Sequence, residues 1–275
     1  MSDILPKSAS KLIPKDPSKV MVIRDVTSNI TTLSVPFLRF GMVKVGGRAT
    51  IVKMKTGSLA VFSPVALTSE VKAKVASMGT MKYIVAPDIE HHIFMSPWAQ
   101  EYPNAELIGP EGLPEKRQGD PSTSKEKFKH VFTPKNQREM QISPEWDAEF
   151  DCEYFHSHQN KELVFLHKPS KTLIEADVLF NLPAAEQFSR SGVAATAGVF
   201  SKLFGAIMNT RGDMVWQKRF LWYGAASSNR TAFADSAKRV ARWDFDRIIP
   251  CHGDVIETGG KSVFNTATAW FQEAK

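Results

Sequence analysis

The sequence predicts an α/β (α+β) chain in which β-sheets are covered by helices. Three observations predict it. Short β-prone runs alternate with amphipathic helical patterns from residue 20 onward. Hydrophobic residues make up 43% and charged residues 23% of the 275, which is ordinary globular usage and excludes a disordered, collagen-like or coiled-coil chain. Only two cysteines occur, Cys152 and Cys251, so a disulfide scaffold is excluded. With no secretory signal in view, they read as reduced thiols of a cytoplasmic protein.

Residues 1–18, rich in Pro, Lys and Ser, read as a flexible arm, and 19–275 as one domain. Runs 20–23, 38–45, 49–54 and 59–65 read as an antiparallel meander, with a hairpin at Thr56-Gly57. A helix follows. Thr68 suits its N-cap, Val71, Val75 and Met78 share a face, and Gly79 suits its stop. Strand 82–86, helix 95–102 and strand 105–109 come next. Residues 112–145 are polar and aperiodic, which predicts a long surface excursion. Strand 148–155 precedes a hairpin of 162–167 and 172–176. An inserted helical segment is expected near 184–224, where Phe200, Leu203, Phe204, Ile207 and Met208 make an apolar stripe. The stripe packs on the body, lids a pocket or lies on a membrane surface. Helices 230–243 and 261–274 flank a short strand, 247–250.

The net charge is +6. The densest basic stretch, 115–138, is diluted by Glu115, Asp120 and Glu126, and no basic stripe interleaves with aromatics. No nucleic-acid partner is therefore expected. The most apolar run, 192–208, is interrupted by Lys202, so no stable membrane insertion is expected either. Oligomeric state is not legible.

Four places could do chemistry, each beside a strand end, where a rigid scaffold presents variable residues. Asp88-Ile-Glu90-His91-His92 follows strand 82–86 and offers two imidazoles and a carboxylate, ligands for zinc, iron or manganese. His156 and His158 precede the hairpin. Asp177 ends strand 172–176, where an unpaired carboxylate is costly to bury. His252 follows Ile-Ile-Pro. Each also has a bland reading as a capping or turn residue.

Their order resembles the metallo-β-lactamase-like superfamily. Ile249-Pro-Cys-His-Gly253 resembles its last histidine motif, Ile174-Glu-Ala-Asp177 its bridging-aspartate strand, and His158 its middle histidine. The first motif departs: with His92 at its last histidine, His91 stands at the family's aspartate, and Pro87 and Ile89 replace its two leading histidines. Ser63-Pro64 stands where an aspartate-glycine turn is common. The chain is similar to an uncharacterised branch of that superfamily, a domain of unknown function. Shared features are Ser63-Pro-Val65, Ala86 through His92, Tyr102-Pro-Asn-Ala105, Pro169 through Ile174 and Asp177 through Asn181.

The resemblance implies a four-layer αββα sandwich and a metal-dependent hydrolase acting on a small or medium organic substrate, such as an ester, lactone or thioester. The altered first motif implies a reduced, mononuclear site for one divalent metal, zinc foremost, with iron or manganese as alternatives. His91, His92, His158, Asp177 and His252 are its candidate ligands, and His91, His158 and Asp177 the candidate catalytic groups. Trp216, Trp222, Phe200 and Phe204 are expected to wall the pocket. The alternatives are a degenerate binding domain of the same fold and an iron-dependent enzyme that does not hydrolyse.

Overall fold

The computed structural model describes residues 14–123 and 126–273. The arm expected over 1–18 lies outside the described residues as far as residue 13. So do residues 124 and 125 of the expected excursion and residue 274 of the last helix. Pro17–Val20 form one helical turn.

Thirteen strands can be followed along the described chain: β1 Val22–Thr27, β2 Ile30–Val35, β3 Leu38–Arg39, β4 Val43–Lys44, β5 Gly47–Lys53, β6 Ser58–Phe62, β7 Thr80–Val85, β8 Glu106–Pro110, β9 Phe128–Phe132, β10 Phe150–Phe155, β11 Glu162–His167, β12 Thr172–Glu175 and β13 Arg247–Pro250. Seven form one sheet in the order β1-β2-β5-β6-β7-β8-β9, antiparallel as far as β6 and parallel beyond it. The second sheet runs β10-β11-β12-β13, with β13 parallel to β12. β3 and β4 form a separate ribbon.

Side chains alternate along a strand, so a strand buried on both faces must supply two cores. On β6, Leu59 and Val61 join the outer core with Val71, Val75 and Trp98 from helices Ser69–Met78 and Met95–Glu101. Ala60 and Phe62 join the inner core, facing Trp146, Phe150 and Phe165. On β11, Leu163 and Phe165 face inward, while Val164 and Leu166 pack outward against Phe233, Ala237 and Phe264. Those last three come from helices Arg230–Val240 and Gly260–Ala267. Three cores between four layers make the chain an αββα sandwich, as expected.

Local chemistry explains the boundaries. Thr68 caps its helix by accepting from the Val71 amide. Two expectations are corrected. Run 38–45 is no single strand: Phe40 and Gly41 take positive φ (54° and 70°) and turn it back as the β3–β4 ribbon. The excursion 112–145 contains helix Leu113–Gln118, strand β9 and the start of helix Pro144–Glu149. That helix, capped by Ser143, delays the expected strand 148–155 to Phe150. β2 was not visible in the sequence, because Thr31, Thr32 and Ser34 look polar yet are buried. Among the described residues no helix is long and apolar enough to cross a membrane.

Candidate metal centre

The centre lies where loops from both sheets meet. The turn after β7 supplies His91. The residue pair after β12 supplies Asp177, and the turn after β13 supplies His252. Their ligand atoms lie within 4.8 Å of one another. His91 Nε2 and His252 Nε2 are 3.1 Å apart, and His252 Nε2 is 3.3 Å from Asp177 Oδ1.

Each imidazole is held from its far side. Asp88 is fully buried. Its Oδ1 accepts from the amides of Glu90 (2.7 Å) and His91 (2.6 Å), which shapes the turn, and Oδ2 pairs with His91 Nδ1 at 2.8 Å. His252 Nδ1 donates to the Gly46 carbonyl at 2.6 Å. Phe180 stacks on the His252 ring at 5.3 Å and 12°. With both Nδ1 atoms committed as donors, each neutral ring points an Nε2 lone pair into the same space as a carboxylate oxygen. Three acceptors converging in this way repel unless a cation lies among them.

A proton can serve. Burial alone would lower the His91 pKa, but the Asp88 carboxylate and then Asp177 outweigh it and raise it to about 9. Burial pushes His252 down to about 4. A metal ion suits the donor set better. Neighbouring ligand atoms around a four-coordinate ion with bonds of ~2.0–2.1 Å sit roughly 3.3 Å apart. The carboxylate–histidine pair and the carbonyl–histidine pair are the usual outer supports of such ligands. Two histidines and one carboxylate suit zinc or non-haem iron.

The backbone beneath is fixed by buried polar groups. Glu162 accepts from the Ala176 and Asp177 amides (2.7 and 2.9 Å) and so sets the end of β12. Arg48, 1% exposed, donates to the carbonyls of Pro250 (2.8 Å) and Gly253 (2.5 Å), on either side of His252. Gly253 has φ +91°, and a Cβ there would stand 2.1 Å from the Asn181 carbonyl oxygen. Only glycine fits that turn.

The other expected residues are placed differently. His158 is buried, 1% exposed, and its Nε2 has no hydrogen-bond partner. Its Nδ1 accepts from the Asn160 amide at 3.1 Å, so in the neutral ring Nε2 carries the proton. Asn160 Nδ2 also donates to Asp177 Oδ2 at 2.6 Å, linking His158 to the cluster. His92 turns away from the three ligand atoms. Its Nδ1 accepts from Arg117 Nη1 at 2.7 Å, and burial, then Arg117 and Lys116, hold its pKa at about 4. Glu90 pairs with Lys116 at 2.9 Å, and His156 stands apart from the cluster.

A cavity of about 310 Å³ opens beside His91, His92 and His252. Phe37, Val65, Ile93 and Phe94 supply its apolar wall, and Arg39 lines it too. The expected aromatic wall is corrected. Phe200 and Trp216 face solvent, Phe204 packs on Phe180, and Trp222 packs on Phe271. Periodicity marked them as apolar but could not say which way each side chain faces. Asp88, Arg48, Gly46 and Glu162 were missed as site residues. The Asp88–His91 spacing was the one available signal.

The profile of a family described as Domain of unknown function (DUF4336) matches residues 38–189. No curated protein matches the chain. Solved structures do. A metallo-β-lactamase from Pontibacter korlensis is 12% identical, with 92% of this chain and 100% of that one covered and a TM-score of 0.56. One from Hirschia baltica is 11% identical, with 94% and 100% covered and a TM-score of 0.54. A variant flavo di-iron protein from Thermotoga maritima is 12% identical with a TM-score of 0.59; 92% of this chain is covered but only 62% of that one. At such identity the likeness is one of fold: the sandwich is a metallo-β-lactamase fold.

Proposed function

The chain belongs to the DUF4336 family, and from that premise we propose that it is a metal-dependent hydrolase of small or medium organic substrates with a mononuclear centre. His91, Asp177 and His252 would hold the ion. One observation carries the reading: three ligand atoms lie within 4.8 Å of one another, while buried Asp88 and Gly46 hold the far sides of the two imidazoles and half-buried Asn160 holds the other oxygen of Asp177. Zinc foremost, with manganese or iron as alternatives, would supply there a water activated for attack at neutral pH.

The chain's own residues do the rest. Asp88 keeps His91 in the tautomer that presents Nε2, and Gly46 does the same for His252. His158 keeps a proton on Nε2, buried and without a partner, and would offer it as a hydrogen bond to the oxygen on which negative charge develops. Phe37, Val65 and Phe94 exclude water around an apolar substrate body. His92, neutral and anchored by Arg117, would orient the substrate from the cavity wall rather than bind the ion.

The test is hydrolysis of a panel of esters, lactones and thioesters by zinc-loaded protein. His158→Phe is expected to keep its zinc and lose about 100-fold or more in kcat. Asp177→Asn is expected to lose both zinc and activity. A chain that holds zinc at His91 and His252 yet hydrolyses no member of the panel would contradict the reading. The iron alternative rests on the same two-histidine, one-carboxylate set, and the identity of the metal bound separates the two.

A further inference from the structure

The exposed large hydrophobic side chains among the described residues fall in two segments. Phe40 and Met42 form the tip of the β3–β4 ribbon. Val193, Val199, Phe200, Leu203, Trp216 and Tyr223 belong to the helical run between β12 and β13. The two segments touch. Ser201 Oγ accepts from the Lys44 amide (3.0 Å) and donates to the Met42 carbonyl (3.3 Å), while Lys44 Nζ donates to the Ala197 carbonyl (2.7 Å). The ribbon tip therefore lies against helix Val199–Ile207.

That helix is apolar on both faces. Inward it presents Ser201, Phe204 and Ile207 to the body, with Met208 following. Outward it presents Val199 (80% exposed), Phe200 (59%) and Leu203 (59%). Apart from Ser201 and Lys202 the helix is apolar, a composition that belongs in a core or a membrane environment, yet half of it meets water. The segments that carry these side chains are basic in sequence. Residues 193–230 carry Lys202, Arg211, Lys218, Arg219 and Arg230 against one carboxylate, Asp213, and the ribbon adds Arg39 and Lys44 with none. Arg219 lies over the Trp216 ring at 4.8 Å and Arg230 over Tyr223 at 5.8 Å.

We propose that this face docks the protein on an anionic lipid surface, with Phe40, Met42, Val199, Phe200 and Leu203 entering the headgroup boundary and the cations meeting lipid phosphates and carboxylates. Exposed apolar side chains on Lys- and Arg-rich segments are what an interfacial helix uses. Aromatic rings with a polar or cationic edge prefer that depth. A second copy of the chain fits less well, because a two-fold contact would set this basic face against itself. Phe37 precedes the ribbon and Arg39 belongs to it, and both line the cavity beside His252, so docking would bring the cavity mouth to the lipid. The proposal stands whether or not the centre holds a metal.

The experiment is sedimentation of the full chain with vesicles of phosphatidylcholine alone or mixed with phosphatidylserine. Binding is expected to the mixed vesicles, weakened by salt, and at least about tenfold weaker in the Phe200→Ser/Leu203→Ser variant. Both side chains are exposed, so the variant is expected to keep its fold, which circular dichroism checks. Lys202→Glu is expected to weaken binding to the mixed vesicles. The proposal is overturned by absence of binding to either vesicle, or by binding that the double variant leaves unchanged. It is equally overturned if soluble polyglutamate binds as tightly as the mixed vesicles, or if light scattering finds a dimer that the double variant dissolves.

Discussion

His91 shows how much of a site one buried neighbour decides. Its Nε2 can serve a cation only because Asp88 takes Nδ1, and Asp88 is free to do so because two backbone amides fix its other oxygen. Asp88→Asn keeps the size but removes the charge. It is expected to weaken zinc affinity by about 10–100-fold, read by competition with a chromogenic chelator. Unchanged affinity would remove Asp88 from the account. At this scale the sequence was partly legible. His91, Asp177 and His252 stood among five candidate ligands because strand ends concentrate functional groups, and His92 and His158 stood there on the same ground. Arg48 was not: within Arg-Ala-Thr-Ile-Val it reads as an ordinary strand residue, and only its contacts across to Pro250 and Gly253 reveal what it holds. The tautomer of His158, which makes it a donor, depends on a hydrogen bond to Asn160 and leaves no trace in the sequence.

At the scale of elements, legibility followed pattern. The helix capped by Thr68 and the hairpin at Thr56-Gly57 were readable because capping and turn chemistry are local. β2 and β9 were not, since a short strand buried on both faces or flanked by lysines lacks clean alternation. Helix Pro144–Glu149 is tied to the first sheet by Glu145, which accepts from Lys82 Nζ (2.5 Å), Ser58 Oγ (3.0 Å), Tyr83 OH (3.1 Å) and Thr56 Oγ1. Burial alone would raise this carboxyl. Lys82, then Thr56, Ser58 and Tyr83, outweigh it and hold its pKa at about 2, below the ordinary 4.5. A carboxyl lowered on folding stabilises the fold above its unfolded pKa and loses that contribution as pH falls through its folded one. The contribution of Glu145 should be complete above about 4.5 and gone near 2. Glu145→Gln is expected to melt lower at neutral pH and to lose less stability than the wild type between those values. Thermal melts against pH check this, and parallel curves for the two proteins would contradict it.

The whole molecule explains why residues so far apart in sequence meet. The parallel run from β6 through β9 and the parallel β12–β13 pair send loops to one edge of the sandwich. There Asp88 and His91 from one sheet meet Asp177 and His252 from the other. Composition and periodicity reached an α/β chain of sheets and helices. The four-layer arrangement came from the resemblance of a few motifs, because no local pattern tells which sheet a strand joins. The departure of the first motif, Pro87 and Ile89 where two histidines are usual, is matched by a cluster of three ligand atoms, the basis for reading the centre as mononuclear. The direct measurement is metal content by elemental analysis of untagged protein purified without chelators, beside a His91→Ala/His252→Ala variant. Near one zinc, manganese or iron per chain, lost in the variant with the fold intact, is the predicted result. A wild type that binds none of these metals even when they are supplied, or a variant that retains its metal, would contradict the account.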